Sequence, residues 1–81
     1  MYQVYALYSP TYDKIYIGYS SNLEERLKSH NYLATKGYTL RYRPWELIHT
    51  EECNTKKQAM AREKQLKSAK GREFVWGIIK G

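Results

Sequence analysis

The stretch YQVYALYSPTYDKIYIGY, residues 2–19, decides the fold of this chain. Residues 2–8 are rich in aromatic and apolar side chains, and residues 14–19 alternate in polarity and include β-branched isoleucines, as strands do. The segment between them, residues 9–13 (SPTYD), has the composition of a turn. The stretch therefore predicts a β-hairpin.

The sequence that follows the hairpin predicts a first helix. Ser21 and Glu24 form a capping box, in which each side chain can bond a free backbone N–H of the first turn. Leu23, Leu27 and then Ala34 supply the apolar stripe. We expect the helix to fade over Thr35, Lys36 and Gly37, where the glycine favours a stop.

A loop, a third strand and a second long helix are predicted next. Residues 37–44 are polar, basic and end in a proline, which indicates a loop, and residues 45–51 (WELIHTE) favour a strand. Thr55 and Gln58 form a second capping box that opens a helix over residues 56–69.

The end of the chain completes an α+β domain. Gly71 is a suitable stop for the second helix, and the apolar residues 72–80 predict a short last helix packed on the sheet. We therefore expect one domain, residues 1–81, with element order β-β-α-β-α-α. Its small three-stranded antiparallel sheet would be flanked by helices.

The composition favours a polyanionic partner. The formal net charge is +6, from 14 Lys and Arg against 8 Asp and Glu, and nine tyrosines accompany the positive charge. Phosphates attract cations and aromatic rings stack on bases, so nucleic acid is the expected partner. A soluble domain that is merely basic is the alternative.

Cysteine usage and hydropathy indicate a compartment. A single cysteine, Cys53, excludes an intramolecular disulfide and a CxxC zinc pair, which fits the reducing cytoplasm. The first residues lack a basic flank and a long apolar run, so we expect no signal peptide. No stretch approaches the ~20 apolar residues of a membrane span.

A carboxylate interrupts the apolar face of the second predicted helix. Ala59, Leu66 and Ala69 share that face, and Glu63 lies between them at i+4 from Ala59. A half-buried carboxylate needs a cation, an arginine or a metal ion. The alternative is a surface ion pair between Glu63 and Lys67 at i,i+4 spacing.

Four other side chains suit phosphate chemistry. Arg26 and His30 share a helix face at i,i+4, where an arginine can stabilise phosphate charge and a histidine can move protons. A solvated helix edge is the alternative. Tyr5 and Tyr16 lie on consecutive strands, and the turn can bring them together either for core packing or for catalysis.

Together these residues resemble the GIY-YIG nuclease family over essentially the whole chain, and most closely its small stand-alone bacterial members. Gln3-Val4-Tyr5 stands at the first triplet and keeps only its tyrosine, whereas Tyr16-Ile17-Gly18 matches the second triplet. The arginine, histidine and metal-binding glutamate of the family match Arg26, His30 and Glu63. The asparagine that larger members often carry after the glutamate is missing, since none follows Asn54.

The resemblance implies a metal-dependent endonuclease acting on DNA, with RNA as a second candidate, in DNA repair or recombination. Glu63 would hold Mg²⁺ (or Mn²⁺) together with waters, and Arg26 would neutralise charge on the phosphate. Tyr5 or Tyr16 would take a proton from the attacking water, with a slight preference for Tyr5. His30 would assist that base or bind phosphate.

Two expectations concern the surroundings of these residues. Lys14, Arg41 and Arg43 are candidates for contacts to the nucleic-acid backbone, or else ordinary solubilising charges. The five residues Tyr5, Tyr16, Arg26, His30 and Glu63 should converge on one face of the sheet, with the second helix packed beside the first. A placement of Glu63 on the opposite side of the sheet from Arg26 would exclude one-metal phosphodiester hydrolysis. The alternative function, a non-catalytic nucleic-acid-binding domain with the nuclease fold, would then replace it.

Overall fold

The computed structural model describes residues 1–33 and 37–81, and these form an α+β domain with the expected element order. Two short elements are added to that order, a π-helical turn after the first helix and a small helix α2. The elements are β1 (Tyr2–Ser9), β2 (Lys14–Ser20), α1 (Leu23–Lys28), the π-helical turn (Ser29–Leu33), α2 (Tyr38–Arg41), β3 (Glu46–Cys53), α3 (Lys56–Lys67) and α4 (Ala69–Lys80).

The three strands form one antiparallel sheet in the order β2-β1-β3, which confirms the predicted hairpin and third strand. Strand β1 lies in the centre, and its side chains alternate between the two faces. Val4 and Ala6 are buried on one face, and Tyr5 and Leu7 on the other. Burial on both faces explains why the strand is an almost unbroken apolar run.

Helices cover both faces of this sheet. Helices α3 and α4 cover the first face, where Ala59, Leu66 and Val75 pack with Val4 and Ala6. Helix α1 covers the other, because Leu23 and Leu27 pack against the cluster of Tyr5, Leu7 and Trp45. The expectation that the second long helix packs beside the first is therefore wrong: α1 and α3 lie on opposite faces.

The first helix begins one residue later than predicted. Asn22, not Ser21, is the N-cap, and its Oδ1 accepts the backbone N–H of Glu25 at 3.2 Å. The Oγ of Ser20 accepts the N–H of Asn22 at 2.9 Å, which fixes the residue in front of the helix. The predicted positions of Ala34 and of the fade at residues 35–36 lie outside the described residues.

Helix α2 lies inside the predicted loop of residues 37–44, so that prediction is wrong for Tyr38–Arg41. The indole Nε1–H of Trp45 donates to the carbonyl oxygen of Thr39 at 2.8 Å, and both residues are buried. A single turn of helix is too short to show a hydrophobic period, and this distant contact stabilises it.

The two last helices meet at Ser68 rather than at Gly71. The capping box of the second helix is present, since Thr55 Oγ1 accepts the N–H of Gln58 at 3.2 Å. Helix α3 ends at Lys67, and Ala69 is an exposed residue of α4, so its predicted place on the α3 stripe is wrong.

Gly71 lies in the first turn of α4 and does not end α3. A Cβ there would lie 2.2 Å from the carbonyl oxygen of Gln65 and 2.4 Å from the Cα of Leu66. The glycine is needed because α4 passes close to the end of α3. None of the helices in the described residues has the length and hydropathy to cross a membrane.

Candidate active site

A cleft of about 450 Å³ opens at the β2 edge of the sheet. Because β2 is an outer strand, side chains from both faces of the sheet reach this edge. The hairpin, α1 and α3 all contribute to the lining, which consists of Tyr2, Tyr16, Gly18, Tyr19, Ser20, Ser21, Arg26, Lys56 and Glu63.

Arg26 and Glu63 reach this cleft from opposite faces. Arg26 is carried by α1 and Glu63 by α3, and the two helices cover different sides of β1. The expectation of convergence on one face is therefore wrong in its geometry. The two side chains instead meet around the open edge of β2, where they line the same cleft.

Behind the cleft lies a buried pair, Tyr5 and His30. Tyr5 is 0% exposed and His30 4% exposed, and Tyr5 Oη lies 2.8 Å from His30 Nε2. Burial, followed by the nearby cations of Arg26 and Arg43, lowers the pKa of His30 from 6.5 to about 4. The imidazole is therefore neutral at pH 7, and its tautomer determines whether Nε2 accepts from the Tyr5 hydroxyl or donates to it.

The phenol of Tyr5 is also neutral at pH 7. Burial raises the pKa of the Tyr5 phenol, although the hydrogen bond with Arg26 opposes the rise. Hence the phenol stays protonated at neutral pH and can donate. His30 belongs to the π-helical turn, an irregularity that is frequent at functional sites.

Tyr16 lies between the buried pair and the cleft. It is half-buried, lines the cleft, and its ring centroid is 4.8 Å from that of His30 and 6.3 Å from that of Tyr5. Hydrogen bonding to Tyr5, and more weakly to Tyr16, raises the pKa of Arg26. The guanidinium therefore faces both phenols. A solvated helix edge does not describe His30, which is buried, whereas Arg26 is exposed as that alternative expects.

Gly18 allows the phenol of Tyr5 to lie where it does. The two residues are paired across β1 and β2, and a Cβ on Gly18 would lie 2.6 Å from Tyr5 Oη. The same Cβ would be 3.1 Å from Cε2 of Tyr16. Only a residue without a side chain leaves room for both rings.

Glu63 lies in the cleft and also makes the ion pair that the sequence offered as the alternative. Its side chain is 21% exposed and lines the cleft, and Lys67 Nζ lies 3.6 Å from its Oε1. An ion pair that is this long and partly exposed contributes at most about 1 kcal/mol. The lysine side chain is 54% exposed and can move away from the carboxylate.

The donor set of the cleft suits one type of metal ion. Over residues 1–33 and 37–81 no three His, Cys, Asp or Glu side chains are grouped to hold a metal. A single carboxylate in an open cleft is a poor zinc site, but it matches Mg²⁺, which keeps several waters and binds through one or two carboxylates and substrate phosphates. Glu63 therefore fits a hydrated Mg²⁺ or Mn²⁺.

The three predicted backbone-contact residues lie outside the cleft. Lys14 Nζ and the guanidinium carbon of Arg41 are each 5.6 Å from the ring centre of Tyr42, on the exposed surface. Arg43 donates to the carbonyl oxygens of Ser29 at 3.0 Å and His30 at 2.6 Å. Its guanidinium therefore supports the π-helical turn.

Sequence reasoning missed Lys56 and Tyr2 as lining residues. Lys56 and Glu63 lie seven residues apart on α3, a spacing of about two turns that places them on one face. That spacing is a signal that could have identified Lys56. Nothing in the local sequence distinguishes Tyr2 from the other tyrosines of the hairpin.

Comparison with known proteins identifies the family of this chain. Residues 1–76 match the model of the GIY-YIG catalytic domain. The chain belongs to the GIY-YIG family. The two strands that bear Tyr5 and Tyr16, together with Arg26 and Glu63, all lie within the matched residues of this nuclease family.

The relatives of this GIY-YIG domain include several UPF0213 proteins. One from Bacillus velezensis is 38% identical over 66 residues, which cover 78% of this chain and 67% of the relative. One from Natronomonas pharaonis is 39% identical over 56 residues, covering 69% of this chain and 66% of the relative. The protein YazA of Bacillus subtilis is 44% identical over 48 residues, 59% of this chain and 48% of its own length. The chain thus spans about half to two thirds of these relatives, whose names state no activity.

The buried His30 makes the stability of the GIY-YIG domain depend on pH. Its pKa falls from 6.5 to about 4 on folding, so between these values the unfolded chain binds the extra proton. The free energy of unfolding should therefore fall as pH drops from 6.5 towards 4, by up to about 3 kcal/mol. Urea unfolding across this pH range measures the slope.

A pair of variants tests whether His30 causes this dependence of the free energy of unfolding on pH. His30→Gln should flatten it, whereas His49→Gln, which alters the other histidine, should keep it. Glu51 also has a lowered pKa, from 4.5 to about 2, because of its hydrogen bond with Arg62, but its window lies at lower pH. An unchanged slope in His30→Gln would contradict the buried neutral imidazole.

Proposed function

We propose that this domain is a metal-dependent endonuclease that hydrolyses DNA phosphodiester bonds. The observation that supports it is that Arg26, Tyr16 and Glu63 line one solvent-open cleft, with Tyr5 and His30 directly behind. Hydrolysis of a phosphodiester needs a fixed cation, a proton acceptor and a metal-binding carboxylate. Helices α1 and α3 lie on opposite faces of the sheet. Their position does not prevent hydrolysis, because hydrolysis requires that the side chains share a cleft.

Glu63 would hold the metal ion. Its side chain lines the cleft, and within residues 1–33 and 37–81 its ion-pair partner is Lys67, at 3.6 Å. Bound there, Mg²⁺ or Mn²⁺ would stabilise negative charge on the leaving oxygen and around phosphorus. Lys56, on the same face of α3, adds a second positive charge beside the substrate.

Arg26 would bind the non-bridging oxygens of the scissile phosphate. A guanidinium stays charged at every pH of interest and presents a planar fork of donors. Hydrogen bonding to Tyr5, and more weakly to Tyr16, raises the pKa of Arg26, and Arg26 and Tyr16 both line the cleft. There it can contact phosphate on one side and phenol oxygens on the other.

Tyr16 is our candidate for the group that accepts a proton from the attacking water. The sequence left Tyr5 and Tyr16 open, with a slight preference for Tyr5. Tyr5 has no exposed surface and is hydrogen-bonded to His30, whereas Tyr16 lines the cleft. Tyr5 and His30 then act as positioning residues for Tyr16 and Arg26.

The choice of DNA as substrate is supported by the charge and the family. The net charge of +6 favours a polyanion, and Lys14 and Arg41 are exposed where they can contact neighbouring phosphates. A role in DNA repair or recombination, in the reducing cytoplasm where a lone Cys53 stays a thiol, fits this activity.

One observation favours the alternative of a non-catalytic nucleic-acid-binding domain. Glu63 already has a cationic partner, Lys67, as a purely structural glutamate would. In that case no metal would be needed, and the cleft would bind a phosphate through Arg26 and Lys56 alone. The two functions differ in whether a phosphodiester bond is broken.

Nicking of supercoiled plasmid separates these functions. We expect conversion to the open-circular form with Mg²⁺ or Mn²⁺ and none with EDTA, because one carboxylate and its metal supply much of the charge stabilisation. Binding measured by gel shift should persist in EDTA, since it depends mainly on the positive charge. Binding without nicking in either metal would support the non-catalytic domain.

A further inference from the structure

A second recess, of about 390 Å³, lies beside the cleft, and the chemistry proposed above does not use it. Its lining consists of Ile15, Tyr16, Ile17, Tyr38, Lys67 and Arg72. Tyr16 lines both cavities, and Lys67 of the recess is the ion-pair partner of Glu63 in the cleft. The two cavities are therefore neighbours, separated only by these side chains.

Tyr38 gives the recess a rigid aromatic wall. Its ring is held by a hydrogen bond from its hydroxyl to the carbonyl oxygen of Ile15 at 3.3 Å. The ring centre of Tyr38 lies 6.3 Å from that of Tyr16 and 5.8 Å from that of Trp45, and its plane is inclined at 29° to each of them. Despite these contacts Tyr38 is 46% exposed. A fixed, exposed ring is suited to stacking on a flat ligand.

The charged side chains of the recess are both cations. Lys67 and Arg72 are exposed, and among the described residues that line the recess none is acidic. Isoleucines 15 and 17 supply an apolar floor between the ring and the cations. An aromatic wall, an apolar floor and two cations match a nucleotide, whose base stacks while its phosphate pairs with the charge.

We propose that this recess binds an unpaired nucleobase adjoining the phosphodiester that is cut. The base would lie against Tyr38 and Tyr16, and its phosphate would contact Lys67 and Arg72. A base inside a duplex is already stacked and paired, so only an unpaired or extruded base can enter. The inference rests on the proposed nuclease function and assigns it a substrate class, nucleic acid with single-stranded nucleotides next to the cut.

The experiment measures binding in EDTA, so that it does not depend on cleavage. Three fluorescent ligands are compared by anisotropy: a single-stranded oligothymidylate, an abasic oligonucleotide with the same number of phosphates, and a blunt duplex. The wild type should bind oligothymidylate roughly 5- to 150-fold more tightly than the abasic strand, the range expected for one stacked base. Tyr38→Leu should remove this preference and leave the affinity for the abasic strand unchanged.

Matched variants show whether the effect belongs to the recess. Tyr38→Phe keeps the ring and should keep the preference, and Tyr12→Leu removes an exposed tyrosine outside the recess and should also keep it. Arg72→Gln should weaken the binding of both single strands, and the slope of log affinity against log salt concentration should become shallower by about 0.7 per lost phosphate contact. Lys70→Gln should change neither quantity. Circular dichroism verifies that each variant is folded.

Two outcomes would overturn the proposal. One is a wild type that binds the abasic and base-containing strands equally, and the other is a folded Tyr38→Leu that retains the preference. Failure of the nuclease function gives a different result, a base preference in EDTA without any nicking in Mg²⁺. Nicking without a preference for the base-containing strand would support the nuclease function and contradict the proposed role of the recess.

Discussion

Glu63→Gln abolishes metal-dependent nicking and leaves DNA binding intact or slightly stronger: this is the largest effect we expect from a single substitution. The amide keeps the size and hydrogen-bonding shape of the side chain but cannot offer a charged ligand to Mg²⁺. A metal ion contributes several kcal/mol to the transition state, and each 1.36 kcal/mol is tenfold in rate, so the nicking rate should drop by at least about 1,000-fold. Removing a negative charge from the cleft also reduces repulsion of phosphate.

Two control variants separate a metal ligand from a structural glutamate. Glu73→Gln makes the same chemical change at an exposed position of α4 that does not line the cleft, and it should nick at the wild-type rate. Lys67→Gln removes the ion pair at 3.6 Å but leaves the carboxylate. If Glu63 serves only that pair, Lys67→Gln and Glu63→Gln will have equal effects on plasmid nicking.

Titration of the metal ion gives a further check on this assignment. In Lys67→Gln the carboxylate loses a competing cation, so half-maximal nicking should need less Mg²⁺ than in the wild type. Glu63→Gln should show no recovery at any Mg²⁺ concentration. Full activity of Glu63→Gln would show that this carboxylate does not hold the catalytic metal.

The fold could be predicted where local chemistry alone determines structure. The hairpin follows from the alternation in residues 14–19 and the apolar run of β1, and the cap of α3 follows from Thr55 and Gln58. Thr55 could be predicted as the N-cap because its Oγ1 needs only the backbone N–H of the residue three positions later. Helix α2 was not found because it depends on the indole of Trp45, which contacts the Thr39 carbonyl from outside the helix.

Candidate residues such as Arg26 and Glu63 could be named from sequence, but their arrangement could not. Spacing placed Arg26 on one helix and Glu63 on another, without indicating which face of the sheet each helix covers. The face that each helix covers depends on the burial of β1 on both sides. The side chains of Arg26 and Glu63 then meet at the β2 edge. The role left open between Tyr5 and Tyr16 also needed coordinates, because only exposure distinguishes the two phenols.

Gly18→Ala should impair both stability and catalysis, although it adds a single methyl group. The new Cβ would lie 2.6 Å from Oη and 2.8 Å from Cζ of Tyr5. Tyr5 is fully buried between β1 and α1, so its ring cannot swing into solvent to relieve the clash. Overpacking of this kind costs about 1–3 kcal/mol, which urea unfolding would register.

The same displacement should lower the nicking rate by about 100-fold, because a shift of about 1 Å in a positioning group can cost this much. Tyr5 would lose its 2.8 Å hydrogen bond to His30, and with it the support of Arg26 and Tyr16. Gly77→Ala is the matched control: a Cβ there meets no atom within 4 Å, so nicking should not change and the α4 helix should gain about 0.5–1 kcal/mol.

The double variant Gly18→Ala with Tyr5→Phe separates the effect on stability from the effect on the nicking rate. Loss of the Tyr5 hydroxyl removes the 2.6 Å contact but leaves Cζ 2.8 Å from the new Cβ, so the double variant should recover only part of the stability lost in Gly18→Ala, a non-additive result for neighbouring residues. Its nicking rate should stay low, because the hydrogen bond to His30 is absent in both variants. A Gly18→Ala protein that nicks at the wild-type rate would mean that the Tyr5–His30 pair fills the core and does not position the site.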